Sequence, residues 1–357
     1  MKKRVIIITI SLCLILSTFF LLQSLLVPKY ISEVPEGSLI AEYYNEEKYD
    51  HNVVFVGDCE VYENFSPITL WQKYGIKSYI RGSAQQLIWQ SYYLMEETLT
   101  YEKPDVMVFN VLSMKYDEPQ SEAYNRLNID GMKWSSSKWN AIKASMTEDE
   151  SIIDYIFPLL RYHQRWSQLT SEDVKYMFGG KPQISHNGFL MRVDELPVKK
   201  IPQDTPLADY QFSKNCYKYL DKMVELCQDN GVKLVLIKAP SLYPSYYDEW
   251  DQQMQDYAKK KNVDYINFLK LQDEIGLDFQ HDTYDRGLHL NLSGAEKLST
   301  YFGQYLQKTY HIKDSRHDAD SKQRWDKKVK FYNAMKKDQY RELKEYGYLK
   351  SYGAKEK

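Results

Sequence analysis

The sequence around residue 59 places a thiol directly after a stretch that is typical of a buried strand. Residues 52–57 read NVVFVG, and Asp58, Cys59 and Glu60 follow them. A thiol has a reference pKa near 8.5, so a neighbouring histidine can convert it to a thiolate, which is a strong nucleophile. The two flanking carboxylates disfavour the thiolate unless their side chains point away. Cys59 is therefore a candidate nucleophile, and acyl transfer through a thioester is the chemistry that it suits.

A second group of reactive side chains lies in the stretch YDRGLHLNLSGAEKLS, where Asp285 precedes His289 by four residues. A histidine can act as a general base, and a carboxylate can orient its ring and stabilise its charged form. Gly287 lies between the two and would allow a turn that lets Asp285 reach the imidazole. Asp282 is the alternative acid if that turn does not form.

Alternating strand and helix patterns predict the elements that would bring these two groups together. Strands are predicted at 52–57, 77–82, 105–112, 232–240 and 263–268. Helices are predicted at 66–75, 84–101, 213–230 and 293–310, and a further long helix lies between the last two strands and ends at about residue 261. Such alternation predicts an α/β fold, a three-layer αβα sandwich with a parallel sheet. In an open sheet of this kind the ligand crevice lies beyond the carboxyl ends of the strands. Cys59, Gly82 and Asn110 each stand at or just after such an end.

The pattern changes between residues 113 and 211, where helical signals replace the alternation. Two helix starts are predicted, one from a capping box of Thr147 and Glu150 and one from Thr170 and Asp173. We expect an insertion of about 100 residues that forms a helical cap over the strand ends. A mobile lid and a partner-docking surface fit this segment equally well.

The N-terminus reads as a membrane segment. Three basic residues precede an apolar run from residue 5 to residue 27, which at ~1.5 Å per residue is long enough to cross a hydrocarbon core of ~30 Å. No Ala-x-Ala-like exit follows it, so an uncleaved anchor over residues 1–29 is favoured over a cleaved signal peptide. The positive-inside rule places the chain beyond Lys29 outside the cell membrane, as a single-pass protein.

Residues 311–357 form a basic, Tyr-rich C-terminal extension with 14 Lys and Arg against 8 Asp and Glu. A solvated helix or a frayed tail is the simple interpretation. The functional alternative is contact with anionic lipid head groups, teichoic acid or a membrane partner. The remaining residues, 30–310, are predicted to form the α/β domain with its insertion.

The composition and the remaining motifs argue against several other kinds of site. The net charge is −2, and no motif suggests a nucleic acid partner, a phosphate-binding loop or a metal site. Cys216 and Cys227 fall on one predicted helix about 16 Å apart, too far to form a disulfide. The chain holds 32 Tyr, 13 Phe and 7 Trp, which suits sugar rings and wet interfaces or, alternatively, an ordinary tyrosine-rich core.

An ordered set of residues resembles the SGNH/GDSL hydrolase superfamily over most of residues 52–310 outside the insertion. In chain order the set is Cys59, Gly82, Asn110, Asp285 and His289. It looks closest to the membrane-anchored, extracytoplasmic branch associated with O-acylation of cell-surface polysaccharides and D-alanylation of teichoic acid. Three features depart from that family. Cysteine replaces its serine, three residues rather than two separate the acid from the histidine, and Asn110 lacks the family's Gly-x-Asn-Asp form.

This resemblance implies roles for each member of the set. Cys59 takes the place of the serine nucleophile, His289 is the base, Asp285 orients it, and Gly82 and Asn110 complete an oxyanion hole with the Cys59 amide. No cofactor is implied.

The resemblance also implies an activity. It is transfer of an acyl group, expected to be acetyl, to hydroxyls of a cell-surface polysaccharide or teichoic acid, with a polytopic membrane O-acyltransferase as the partner that supplies it. The alternatives are a surface esterase or thioesterase that uses water, and a non-catalytic scaffold subunit.

Overall fold

A five-stranded parallel sheet forms the centre of the molecule in a computed structural model, which describes residues 2–27, 39–178, 183–201, 203 and 205–352. The strand order is β2-β1-β3-β4-β5. The strands are β1 (Val53–Gly57), β2 (Ser78–Gly82), β3 (Val106–Asn110), β4 (Lys233–Lys238) and β5 (Asp264–Asn267). The five predicted strands are confirmed to within two residues at each end, and the protein has a mixed α/β fold.

Helices connect the strands and precede and follow them. Those before β4 are α1 (Lys2–Leu26), α2 (Leu39–Glu42), α3 (Cys59–Tyr62), α4 (Pro67–Tyr74), α5 (Ile88–Tyr101), α6 (Glu122–Ile129), α7 (Ser136–Ser145), α8 (Ile152–Ile156), α9 (Pro158–Tyr162), α10 (Ser171–Met177) and α11 (Lys214–Asp229). Those after it are α12 (Asp248–Lys261), α13 (Gln272–Ile275), α14 (Leu292–Tyr310) and α15 (Ala319–Tyr346). The α5 helix begins four residues later than predicted, because residues 84–87 form a turn.

The sheet is buried on both faces because alternate strand residues enter two separate apolar cores. Phe55, Val108 and Val235 join a core with side chains of α4, α14 and α15. Val56, Phe109 and Leu236 join a second core with side chains of α5, α7, α11 and α12. Near-continuous apolar strands are the expected pattern for a parallel sheet that helices cover on both sides.

Several of the tyrosines are buried in the interior of the protein. The almost fully buried ones include Tyr43, Tyr62, Tyr79, Tyr155 and Tyr332. This part of the aromatic excess therefore stabilises the fold and offers no surface to a sugar ring.

Between β3 and α11 the described residues form five short helices, α6 to α10, and the helix starts predicted there are only partly correct. The Thr170 amide does donate to the Asp173 carboxylate at 2.9 Å at the start of α10. The Thr147 amide does donate to Glu150 at 2.8 Å, but the two residues close a turn, and α8 begins later, after Ser151. Pro158 then separates α8 from α9, since proline removes a backbone donor. Residues 179–182, 202 and 204 of the predicted insertion lie outside the described residues.

The C-terminal extension contributes a 28-residue helix, α15, to the folded molecule. Trp325 on this helix is buried and stacks on Trp71 of α4, with ring centroids 5.1 Å apart. Lys328 of the same helix donates to Glu46 at 2.6 Å. One face of α15 thus packs on the domain, and the basic segment is not simply a frayed tail. Residues 353–357 lie outside the described residues.

The α1 helix is 25 residues long, and its most apolar 18-residue window has a mean hydropathy of 2.8. Among the described residues it is the one helix that is long and apolar enough to cross a membrane. Its side chains from Val5 to Leu22 are mostly exposed. The predicted boundary between anchor and domain, at residues 29 and 30, lies outside the described residues.

Candidate active site

The turn after β1 places Cys59 at the carboxyl edge of the sheet. Gly57 has a φ of +156°, and a Cβ there would lie 2.5 Å from a methyl carbon of Val61 and 3.1 Å from Cβ of Asn110. Only glycine fits so close an approach. Asp58 then caps α3 by accepting from the Glu60 amide at 3.2 Å, so Cys59 becomes the first residue of that helix.

His289 and Asp285 are held together by two hydrogen bonds. The imidazole Nδ1 lies 2.6 Å from Asp285 Oδ2, and the His289 amide donates to Asp285 Oδ1 at 2.8 Å. Arg286 and Gly287, both with positive φ, form the turn between them. The extra residue in the block is thus absorbed there, and Asp285 reaches the ring as the sequence suggested.

Asp282, the alternative acid, makes different contacts. It accepts from Lys297 at 2.6 Å and from the Asp278 amide at 2.8 Å. Its side chain is fully buried among these partners. The arrangement therefore favours Asp285 as the group that orients His289.

The thiol of Cys59 and the imidazole of His289 influence each other's charge. Burial raises the pKa of Cys59, while the nearby imidazolium lowers it and Asp58 and Glu63 raise it further. The Nε2 atom of His289 is buried and, within the described residues, has no hydrogen-bond partner. The two groups are thus near enough to influence each other's charge, although His289 Nε2 forms no hydrogen bond within the described residues in this conformation.

Burial opposes the charged form of His289, but the negative groups around it outweigh that effect. Glu63, Cys59 and the hydrogen bond to Asp285 together hold the His289 pKa well above its usual value of 6.5. The raised pKa makes the imidazole a stronger acceptor for the thiol proton.

Two residues near the histidine were missed by the sequence reasoning. Glu63 Oε2 lies 3.7 Å from His289 Nδ1, and the hydroxyl of Tyr284 donates to Glu63. The ring of Tyr284 is nearly parallel to the imidazole, with an interplanar angle of 13° and centroids 6.0 Å apart. The spacing of four residues between Cys59 and Glu63 was the available signal, since such positions share one face of a helix.

The two predicted oxyanion residues differ in their surroundings. Gly82 pairs with Gly57 in the sheet register, and a Cβ on it would lie 2.9 Å from the Gly57 carbonyl oxygen. Asn110 also lies at the strand ends, but its amide nitrogen donates to Asp58 and Glu60, each at 3.0 Å. Both amide hydrogens are thus used, and an oxyanion would have to compete with two carboxylates for them. The oxyanion role of Asn110 stays a prediction.

A buried ion pair turns one flanking carboxylate away from the thiol. Lys238 Nζ donates to both oxygens of Glu60 at 2.9 Å and to the Ala239 carbonyl at 2.7 Å. Both side chains are almost fully buried. Asp58 remains near the thiol, and burial together with the Glu60 charge raises its pKa to about 6.

Replacing Lys238 with methionine should destabilise the protein by about 3–5 kcal/mol, because Glu60 would keep a buried charge without its partner. The double substitution Glu60→Gln with Lys238→Met should recover most of this loss. Lys322→Met is the matched control, since Lys322 pairs with Asp326 at the surface and such pairs contribute about 0–1 kcal/mol. Urea unfolding of the full chain in detergent measures all three. Equal losses for Lys238→Met and Lys322→Met would contradict this account.

Lys115 is a further residue that the sequence reasoning did not consider. It ends the short 3-10 helix Val111–Lys115 that follows β3. Burial lowers its pKa, while the negative charges of Asp58, Glu60 and Cys59 act in the opposite direction. Lys115 therefore lies near these three groups and adds a basic side chain to their surroundings.

The labelling rate of Cys59 with iodoacetamide should still be rising above about pH 8.5, the pKa of a free thiol, because the thiolate is the reactive form and burial raises the thiol pKa. In His289→Ala the rate at a given pH should fall, since the charge that lowers the thiol pKa is gone. Peptide mass spectrometry measures each site separately, and the buried Cys216 and Cys227 serve as unlabelled controls. Identical rates with and without His289 would show that the thiol and the imidazole are not coupled.

Comparison with known proteins adds no relative, because neither a protein-family model nor a curated protein matches this chain. The fold and this cluster of side chains define it as an α/β protein with a cysteine, a histidine and an aspartate gathered at the carboxyl edge of a parallel sheet.

Proposed function

We propose that the protein is an extracytoplasmic, SGNH-like acyltransferase that passes an acyl group to hydroxyls of a cell-surface glycan through an acyl-enzyme on Cys59. The observation that carries the proposal is the placement of Cys59 beside His289, whose Nδ1 is held by Asp285 at 2.6 Å. The sequence order of these residues resembles the SGNH/GDSL superfamily. In that context α6 to α10 are an insertion that caps a three-layer αβα sandwich.

Each half of the reaction moves one proton through His289. In the first half, Nε2 takes the Cys59 proton, the sulfur attacks the acyl carbon, and the bond to the donor's leaving group breaks as that group receives the proton. In the second half, a glycan hydroxyl gives its proton to Nε2, its oxygen attacks the thioester carbon, and the C–S bond breaks to return the thiolate. Asp285 keeps Nδ1 protonated and stabilises the imidazolium in both halves.

The negative charge on the acyl oxygen needs donors at the strand ends. The Cys59 amide, at the start of α3, and Gly82 are the backbone candidates. Lys115 and Asn110 are the side-chain candidates, and Asn110 would have to leave a carboxylate to serve.

The acyl group itself would come from a polytopic membrane O-acyltransferase, because activated acyl carriers are not expected outside the membrane. The acceptor would be a polysaccharide or a teichoic acid. A cysteine favours onward transfer over storage, since a thioester is a better acyl donor than an oxygen ester.

Assays of the purified full chain in detergent distinguish hydrolysis from transfer. The substrate is p-nitrophenyl acetate, and the glycan acceptor is either added or left out. Release of p-nitrophenol that requires a glycan, together with acetyl ester on that glycan, supports the transferase. Release at the same rate without glycan supports a surface esterase or thioesterase instead. Intact mass then reports an acetyl adduct on the chain, with Cys59→Ala as the control. Complete absence of an adduct and of product release would favour a scaffold subunit.

The anchor makes a separate prediction. Cells that express the full chain should retain it in the membrane fraction, and external protease should degrade everything beyond α1, because an apolar helix of this length is held by the bilayer. Immunoblotting against tags at the two termini measures both properties, and a cytoplasmic protein in the same cells is the control. Recovery of a soluble protein that begins near Lys29 would contradict the anchor.

A further inference from the structure

The α1 helix does not stand apart from the folded domain. It packs against α9, α10 and the 3-10 helix His163–Gln168. The ring of Phe19 lies 6.0 Å from that of Phe157, and Arg165 donates to the Leu26 carbonyl at 2.7 Å. The end of α1 and its outer third are therefore both in contact with the segment between β3 and β4.

These contacts indicate how deeply the folded domain would lie in the membrane. Phe19 lies seven residues before Leu26, which on a helix corresponds to about 10 Å along the axis. If α1 crosses a bilayer with Leu26 at the outer boundary, the level of Phe19 is about a third of the way through a hydrocarbon core of ~30 Å. Phe157, on the folded domain, lies at that same level.

The surface of α8 to α10 has the composition of a surface that contacts lipid. Its large apolar side chains are exposed to an unusual degree, with Trp166 at 73% and Phe178 at 76%. Other exposed members are Ile153, Phe157, Leu160 and Val174, and Trp134, which precedes α7 and lines a groove with Phe157, is exposed as well. Several large exposed apolar side chains in one segment indicate an interaction site in soluble proteins, and tryptophan is enriched at membrane interfaces.

A groove beside α1 continues this surface. It has a volume of about 520 Å³ and is lined by Leu16, Phe19, Phe20, Gln23, Trp134, Trp139, Ile156 and Phe157. Two basic groups nearby are paired within the protein, since Arg165 also donates to Asp173 at 2.9 Å and Arg161 to Glu122 at 2.6 Å. Burial of this region in hydrocarbon would therefore leave these two guanidinium groups with their partners.

The geometry points to a second membrane contact: the apolar surface of α8 to α10 lies in the outer leaflet of the bilayer and holds the domain at a fixed height and rotation beside α1. This inference rests on the anchor in the proposed function and extends it to the segment that caps the α/β domain. Lipid is the occupant because the exposed side chains of α1, to which the surface is continuous, need the same environment.

Photo-crosslinking of the full chain in vesicles of phosphatidylglycerol and phosphatidylcholine tests this directly. The residue p-benzoylphenylalanine would replace Leu160 or Trp166 on the surface, Tyr340 as an exposed control on α15, or Leu14 as a reference on α1. Peptides that contain residues 160 and 166 should carry lipid-mass adducts, whereas the peptide with residue 340 should carry none. Leu160, Trp166 and Tyr340 are all at least half exposed, so substitution should not disturb folding.

The result at residue 14, the reference position on α1, distinguishes failure of the second membrane contact from failure of the anchor. Lipid adducts at 14 without adducts at 160 or 166 would overturn the second contact and leave the anchor intact. No adduct at 14 either would remove the anchor as well. Crosslinks at 160 and 166 to a second copy in vesicles, or only to another protein in native membranes, would assign the surface to a protein and overturn lipid as its occupant.

Discussion

Substitution of Cys59 by alanine is expected to abolish acylation and turnover together. In the proposed mechanism the thiol is the nucleophile that the turn after β1 brings near His289, so its removal would leave no site for the acyl group. Loss of a nucleophile that acts with a base reduces kcat on the order of 10⁴-fold or more. Intact mass before and after incubation with the acyl donor measures acylation, and ester formation on the glycan measures turnover.

Cys59→Ser is the sharper variant, because it restores the usual nucleophile of the resembled family. A hydroxyl is far harder to deprotonate than a thiol, and an oxygen ester is a poorer acyl donor than a thioester. We therefore expect a stable acyl-ester that transfers its group slowly. Cys216→Ala and Cys227→Ala, at buried positions of α11, are the matched controls and should keep full acylation.

Two outcomes would contradict this mechanism outright. If Cys59→Ala modifies the glycan as well as the parent does, the thiol has only a structural role. Absence of iodoacetamide labelling at Cys59 in the folded chain would lead to the same conclusion.

His289→Ala is expected to reduce kcat on the order of 10⁶-fold, because the base is lost. Asp285→Ala should reduce kcat on the order of 10⁴-fold, because only the orientation of the base is lost. The 2.6 Å contact between Asp285 Oδ2 and Nδ1 is the physical basis of this difference. Glu63, at 3.7 Å from the same nitrogen, should supply part of the residual activity of Asp285→Ala.

The double substitution Asp285→Ala with Glu63→Gln tests that last point. It should fall well below Asp285→Ala alone, because no carboxylate would then stabilise the imidazolium. Asp282→Ala, whose carboxylate pairs with Lys297 instead, is the control for acid specificity and should keep activity. A dead Asp282→Ala beside a fully active Asp285→Ala would reassign the acid, and near-normal activity in His289→Ala would remove the triad hypothesis.

Local patterns in the sequence were sufficient for the strands, most of the long helices and the apolar N-terminal helix. Runs such as residues 52–57 are apolar throughout because both faces of the sheet are buried, and that pattern needs no knowledge of neighbours. Gly75 and Ser66 likewise bound α4 through their own backbone and side-chain preferences. The approach of Asp285 to His289 was also predictable, since the turn at Gly287 is local.

Tertiary structure alone decided which distant groups share the site. The pairing of Glu60 with Lys238 joins residues 178 positions apart, and it turns a carboxylate that looked unfavourable to the thiolate away from Cys59. The same network occupies the amide of Asn110, which the sequence left free to bind an oxyanion. The burial of Trp325 against Trp71 gave a basic extension a structural role. Such contacts depend on how helices and strands far apart in the chain pack, and no local propensity encodes them.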